Sequence, residues 1–305
     1  MKKKILIIGN TGFIGKSLFK KLKKNKNNFI SCINSSNCNL LIKKNIFKIK
    51  KKFDLIFHLA SYIKLGKIDK KLQKEIYRKN LKINENVFNW WVKTNIDAKL
   101  ITIGTSASYS SENFTNEKYY LYGIPQKDWK NYIRTKRKLQ RSLNQISKKK
   151  NINYVTIIPS SVYGPDFIFH KKINNFLIDL IIKIVIGKIK KKKVILFGTG
   201  NERRDSIFID DFINLLLLAS QKINNGIINI STGKQFSIKY YAKLICKKLN
   251  FKFKDILFKK NLHYGPTNRK LDISRLKRKF PDYNFITTNK GIRKTISWYI
   301  KQIKE

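Results

Sequence analysis

The chain opens with an apolar run, Ile5-Leu6-Ile7-Ile8, followed at once by Gly9-Asn10-Thr11-Gly12-Phe13-Ile14-Gly15. Glycines at three-residue spacing, set between a strand-like run and a helix-like one, constrain the fold more than any other feature. Gly9 permits a tight turn, Gly12 lets backbone N–H groups approach a pyrophosphate, and Gly15 lets a helix pack closely on the preceding strand. The N-terminus of that helix then faces the phosphates, where its open N–H groups and dipole favour negative charge.

From there short β-rich apolar runs alternate with longer amphipathic segments. Strands are expected at Ile5–Ile8, Phe29–Ile33, Leu55–Leu59, Leu100–Ile103, Tyr154–Ile158 and Gly226–Ile230, with crossover helices near Ile14–Lys24, Gln73–Thr94 and Asp128–Lys149. The fold class is therefore α/β: a Rossmann doubly wound parallel sheet with helices on both faces and a smaller C-terminal α/β lobe. A length of 305 residues suits two unequal parts. The expected division is a dinucleotide-binding domain over 1–165 with about 207–233, and a substrate lobe over 166–206 and 234–305. In that lobe an apolar segment from Phe176, a solvated lysine connection Lys188–Lys193 and a short strand Val194–Phe197 precede two or three helices after Ser231, the last being Gly291–Ile303.

Lys and Arg number 67 against 18 Asp and Glu, a formal charge of +49. Such a field attracts nucleic acid or anionic membranes. Here Lys, Ile and Asn are all used heavily along the whole chain, which marks a compositional bias and not a local phosphate-binding patch. A non-catalytic or RNA-binding protein on the same fold is the alternative, and a positive surface also draws in anionic dinucleotides. Cys32, Cys38 and Cys246 cannot all pair internally and show no zinc spacing, so no metal site and a reducing, cytoplasmic setting are expected. The apolar run after the basic head is too short for a signal peptide, and no stretch is long enough to span a bilayer.

Of the 14 tyrosines only Tyr132 has a lysine four residues later, Lys136, a spacing that puts both on one helix face. An adjacent ammonium and an oxidised nicotinamide both favour the phenolate, so Tyr132 can exchange a proton with a sugar hydroxyl while the nicotinamide exchanges a hydride with the same carbon. Thr105, in the turn Gly104-Thr105-Ser106-Ala107-Ser108-Tyr109 at the end of a strand, is the candidate to orient that hydroxyl, with Ser106 its competitor. At the end of the second strand Ile33 is followed by Asn34-Ser35-Ser36, with no acid to repel a 2′-phosphate, and this favours NADP over NAD.

At these residues the chain resembles the extended short-chain dehydrogenase/reductases, the NAD-dependent epimerase/dehydratase family. The glycine loop matches their T-G-x-x-G-x-x-G, Asp54-Leu55-Ile56-Phe57-His58-Leu59-Ala60 looks like D-x-V-x-H-L-A, and Asn80 sits where their helix asparagine does. Pro159-Ser160-Ser161-Val162-Tyr163-Gly164-Pro165 resembles R-P-x-N-V-Y-G-P. Gly198-Thr199-Gly200 with Arg203-Arg204-Asp205 and Asp210-Asp211 resembles G-x-G-x-x-x-R-D-F-x-x-V-x-D, and Arg269-Lys270-Leu271-Asp272 their C-terminal segment. The resemblance implies a catalytic triad of Thr105, Tyr132 and Lys136. It implies a cofactor site drawn from Gly9, Thr11, Gly12, Phe13, Ile14, Gly15, Asn34, Ser35, Leu40, Leu59, Ala60, Ser61, Asn80, Tyr132, Lys136 and Pro159. Ser106, Ser161, His170, Arg204 and Arg269 are the implied substrate ligands, with Arg204 gripping a nucleotide-sugar phosphate through its planar fork. Its competing role is a salt bridge with Asp205 or Asp210. Relatives of this type dimerise through two helices, here Gln73–Thr94 and Asp128–Lys149, in a four-helix interface; Trp90 and Trp91 are candidates for that seam or for the core.

Departures from the family pattern narrow the expected reaction. The 4,6-dehydratases carry Asp-Glu after the catalytic threonine, whereas Ser106-Ala107 stand here, which argues against water elimination. The GDP-fucose synthase branch needs a cysteine and a histidine for its double epimerisation, and Ala107 and Asn175 occupy those positions, with His170 the candidate substitute acid. What remains is hydride transfer at one sugar carbon, expected at C4: reduction of a 4-keto sugar, as in CDP-abequose synthase, or 4-epimerisation.

Overall fold

The computed structural model describes residues 2–63, 69–110, 114–124, 130–167, 175–260 and 268–304. In chain order the elements are β1 (Lys3–Ile8), α1 (Phe13–Leu22), β2 (Asn28–Ile33), α2 (Lys43–Phe47), β3 (Leu55–His58), α3 (Lys70–Thr94), β4 (Lys99–Ile103), α4 (Lys130–Lys149) and β5 (Tyr154–Pro159). They continue with β6 (Ser161–Tyr163), α5 (Phe176–Ile189), β7 (Val194–Phe197), β8 (Arg203–Phe208), α6 (Ile209–Lys222), β9 (Asn225–Ile230) and β10 (Gln235–Ser237). The last are α7 (Ile238–Leu249), β11 (Ile256–Lys259), β12 (Asn268–Arg269), α8 (Ser274–Lys279) and α9 (Thr288–Lys304).

Two compact units result, Met1–Pro159 with Ile213–Ile230 and Ser160–Phe212 with Ser231–Glu305. The first boundary precedes residue 165 because β6 does not join the sheet of β5 but pairs with β8. The second falls inside α6, at Ile213, and not near 207.

The first unit is a six-stranded sheet in the order β2-β1-β3-β4-β5-β9, parallel throughout. Ile5 to Ile8 are at most 1% exposed, which is why β1 reads as an unbroken apolar run and not an alternating one. Helix α3 starts at Lys70, earlier than the apolar periodicity suggests, because Asp69 caps it: its Oδ1 accepts the Leu72 N–H at 2.7 Å. Trp90 and Trp91 are wholly buried in the core with Leu6, Ile56 and Leu143, and their indole N–H groups donate to Ile49 and Ala98 carbonyls at 3.0 and 2.8 Å. Neither is available to a dimer seam.

In the second unit β8 is paired with β6, β10 and β12, and β7 with β11. The lysine run is the solvated link expected, with Lys190 to Lys193 exposed between α5 and β7. No helix among the described residues is long and apolar enough to cross a membrane.

Candidate functional site

From β1 the chain moves to β2 on one side, then returns to β3 on the other. A doubly wound sheet opens a crevice at the carboxyl ends of two such strands. Gly9 lies there at φ 95°, its N–H donating to Ile33 C=O at 2.7 Å, while Leu59 N–H donates to Ile8 C=O at 2.9 Å. A Cβ on Gly9 would stand 2.9 Å from Ala60 N, and one on Gly15 2.1 Å from Gly9 O, so the fold itself requires both glycines. Gly12 differs. Its φ of −73° suits any residue, and an added Cβ would meet nothing nearer than 3.6 Å. Neither conformation nor packing asks for glycine at 12, which leaves room for a ligand laid against the backbone, as a pyrophosphate requires.

A cleft of about 360 Å³ opens at this point. Gly9, Thr11, Gly12, Asn34, Ser35, Leu40, Leu59, Ala60 and Ser61 line it, together with Cys38, Asn39, Leu41, Tyr62, Ile63 and Ile83, which the sequence did not single out. Phe13, Ile14, Gly15, Asn80, Tyr132, Lys136 and Pro159 are not among its lining residues. Asn80 instead holds the segment that is: its Oδ1 accepts from Ser61 Oγ and Tyr62 N, and its Nδ2 donates to Tyr62 C=O. Asn34 is likewise engaged, its Oδ1 accepting the Ser36 N–H and its Nδ2 donating to Asn10 Oδ1, which ties the loop after β2 to the glycine loop. None of the described lining residues is charged.

Tyr132 and Lys136 lie one turn apart on α4, with Lys136 Nζ 5.6 Å from the Tyr132 ring centroid. Burial lowers the Lys136 ammonium to about 8. Burial and the neighbouring Tyr120 push the Tyr132 phenol above its ordinary range, while a hydrogen bond with the Ser61 side chain pulls it down. The phenol is thus protonated at neutral pH. Thr105 follows β4 and caps a short turn, its Oγ1 accepting from Ala107 N at 3.3 Å and its own N–H donating to Tyr120 Oη at 3.2 Å. Tyr120, buried and next to both Thr105 and Tyr132, carries no sequence signal.

Arg137 is another residue the sequence did not reveal. It is buried, and its guanidinium donates to the carbonyls of Gly123, Tyr122 and Ser108, fastening the loop at 122–123 to the Thr105 turn. His58, at the end of β3, is buried with Nε2 3.0 Å from Asn84 Oδ1; burial, aided by Lys136, lowers it to about 4.

Of the substrate candidates, Ser106 shares the Thr105 turn. In the second unit Ser161 begins β6, and the register of β8 with β12 sets Arg204 beside Arg269. Arg204 lines a cleft of about 200 Å³ with Phe176, Asp179 and Glu202. Asp179 pairs there with Lys183 at 2.7 Å, and Glu202 accepts from the Thr199 and Gly200 N–H groups. Asp205 and Asp210, the acids expected to compete for Arg204, are engaged with Thr232 and Leu271 N and with Lys294 respectively. Asn175 caps α5, its Oδ1 accepting the Leu177 and Ile178 N–H groups and its Nδ2 donating to Val162 C=O at 2.7 Å. His170 lies outside the described residues. No cluster of His, Cys, Asp and Glu that could hold a metal ion is found among the described residues.

Comparison with known proteins agrees with this architecture. GDP-L-colitose synthase of Yersinia pseudotuberculosis is 26% identical over 98% of each chain. The GDP-L-fucose synthetase of Naegleria fowleri bound to NADP superposes with a TM-score of 0.87 at 19% identity, covering 100% of this chain and 96% of that one. A GDP-6-OMe-4-keto-L-xylo-heptose reductase of C. jejuni does so at 0.85 and 21%, covering 99% and 98%. Residues 5–231 match the model of one family throughout the sheet, the Tyr132–Lys136 helix and β8, and the chain accordingly belongs to the NAD dependent epimerase/dehydratase family of NAD(P)-dependent enzymes.

Proposed function

We propose that the protein reduces the 4-keto group of a nucleoside-diphosphate sugar, with NADPH or NADH as reductant. The carrying observation is the side chain at 175. A double epimerisation at C3 and C5 needs a cysteine and a histidine on the sugar, and Asn175, at the position of that histidine, has no titratable proton and spends its amide on capping α5 and holding Val162. Ala107 likewise offers no thiol. Hydride chemistry at a single carbon is what the remaining residues support.

A nicotinamide held by the cleft residues would supply the hydride. Tyr132, protonated at neutral pH, gives its proton to the C4 oxygen, and the Lys136 ammonium stabilises the phenolate left behind. Thr105 Oγ1 orients the same oxygen, and positioning plus general-acid assistance of this kind contributes about 10²–10⁴-fold. Gly12 and the start of α1 would hold the pyrophosphate, with Asn34 and Ser35 at the adenosine ribose. Arg204, beside Arg269, is the candidate for the sugar-nucleotide phosphates. Helices α3 and α4, in contact through Arg134 over the Tyr77 ring at 5.5 Å, are the proposed homodimer elements.

The test is incubation with nucleoside-diphosphate 4-keto-6-deoxyhexoses, following nicotinamide absorbance and identifying the product by NMR. One reduced cofactor consumed per 4-hydroxy product, abolished in Tyr132→Phe, is expected. Interconversion of 4-hydroxy sugars without net cofactor turnover would assign a 4-epimerase in its place.

A further inference from the structure

The Thr105 turn is closed on itself. Ser108 N–H donates to Thr105 C=O at 3.1 Å and Ala107 N–H to Thr105 Oγ1 at 3.3 Å, so whatever fixes Ser108 also fixes Thr105. Two side chains from outside the turn hold its two ends. Tyr120, wholly buried, accepts the Thr105 N–H on its Oη at 3.2 Å. Arg137, buried on α4, donates to the Ser108 C=O. The same guanidinium donates to the Tyr122 and Gly123 carbonyls, each at 2.6 Å. The two segments meet closely there, since a Cβ on Gly123 would stand 2.3 Å from Ser110 Oγ. Tyr120 is braced in turn: its ring meets the Tyr109 ring edge-on at 5.6 Å, and Tyr109 Oη donates to Asn229 Oδ1 at 2.7 Å.

Arg137 and Tyr132 belong to one helix, α4, whose geometry fixes them relative to each other. The planar fork of a guanidinium carries five N–H donors and can span three carbonyls on two segments, whereas an ammonium on its flexible stem is a single point donor. We propose that Arg137, together with Tyr120, is a positioning residue of the reaction. It ties the Thr105 turn to the helix that carries Tyr132, so that the hydroxyl orienting the C4 oxygen and the hydroxyl protonating it meet the same atom. This rests on the assignment of Thr105 and Tyr132 to those roles. Arg137 exchanges no atom with the substrate and acts through Thr105. Its effect is large because a displacement of about 1 Å at a reacting group can cost about a hundredfold in rate.

Arg137→Lys keeps the charge and loses the fork; Tyr120→Phe keeps the ring and loses the bond to Thr105 N. Each is measured for kcat, KM and melting temperature, alone and combined with Thr105→Val. Either variant is expected to lower kcat about tenfold or more with KM within about twofold. In the Thr105→Val background neither should lower kcat further, because the oxygen being positioned is already gone. Losses that multiply with that of Thr105→Val overturn the proposal, as does a lowered melting temperature with kcat unchanged. One variant that folds is enough, since both side chains hold the same turn. If the wild-type protein reduced no nucleotide sugar, the proposed reaction would fail, and amide hydrogen exchange over residues 104–110 would test the tie by itself. Faster exchange there in Arg137→Lys than in the wild type would support it, and unchanged exchange would overturn it.

Discussion

Asn80 closes a ring on Tyr62: its Oδ1 accepts the Tyr62 N–H and its Nδ2 donates to the Tyr62 C=O, both at 2.8 Å. One side-chain amide thus does for this loop what a neighbouring strand would, and the backbone from Leu59 to Tyr62 is held to α3. Asn80→Leu keeps the volume but removes the amide partner of the part-buried Tyr62 N–H and C=O, at a cost of about 2–3 kcal/mol. Because those residues line the cleft, cofactor affinity should fall as well. A thermal melt with and without NADPH checks both effects; a variant that lost stability while binding cofactor normally would detach the loop from the cofactor site.

Gly12 and Gly15 predict opposite failures. Gly15→Ala drives a methyl group to 2.1 Å from Gly9 O and should destabilise the fold in the absence of any ligand. Gly12→Ala meets nothing nearer than 3.6 Å, so its melting temperature should match the wild type within a degree or two. Its methyl group would occupy the space a pyrophosphate needs, and stabilisation by NADPH should vanish. Retained stabilisation in Gly12→Ala would remove the pyrophosphate from this loop.

Choice between NAD and NADP is expected to be shallow, since the described lining residues of the cleft include neither an acid for the ribose hydroxyls nor a cation for a 2′-phosphate. Asn34 is committed to Ser36 and Asn10, which leaves exposed Ser35 as the position that tunes it. Ser35→Arg should improve NADP binding about tenfold relative to NAD, one charge-assisted contact being enough. Ser35→Asp should reverse the preference. Dissociation constants for the two cofactors measured in parallel decide it.

His58 and Asp205 act on the acid side of the stability profile in opposite directions. His58 is lowered from 6.5 to about 4 by burial, so between those values the unfolded chain holds the extra proton and stability falls as pH drops, by up to about 3 kcal/mol. Asp205 is raised from 3.8 to about 6 by burial, so in nearly the same window the folded chain holds the extra proton and stability rises as pH drops. The two nearly offset each other. Urea unfolding of Asp205→Asn should therefore show a steeper loss between about pH 6 and pH 4 than the wild type does. Parallel profiles for the two proteins would mean that one of the groups is not buried as described.

Much of the first unit was legible because its signals are local. The apolar runs of β1, β3, β4 and β5 are buried on both faces, and the Tyr132–Lys136 spacing is fixed by one turn of helix. The glycine loop was read in its full context, although only the structure separates Gly12, which the fold does not need, from Gly9 and Gly15, which it does. The strands of the second unit were mostly silent: β6, β10 and β12 are two or three residues long, too short for periodicity, and arise from pairing with β8. Tyr120 and Arg137 were invisible for a different reason. Each acts on the Thr105 turn across a sequence gap that no motif spans, and a buried arginine bonded to carbonyls gives no charge pattern in the sequence to announce it.

Lys136 carries the clearest conflict between stability and chemistry. Burial lowers its ammonium from 10.5 to about 8, so below about pH 8 the folded chain keeps a charge in a place that disfavours it. A basic group depressed in this way weakens the fold fully at neutral pH, and the penalty is relieved as pH rises from about 8 to 10.5, where the unfolded chain holds the extra proton. Lys136→Met keeps the apolar stem and removes the charge. Its stability at neutral pH should exceed the wild type by about 2 kcal/mol, and the alkaline rise should disappear. Activity should fall at least about a hundredfold, since the Tyr132 phenolate loses its neighbouring cation. A variant that is both less stable and active would show that Lys136 is an ordinary structural residue; one more stable and inactive would show that the fold tolerates a costly charge because the tyrosine needs it.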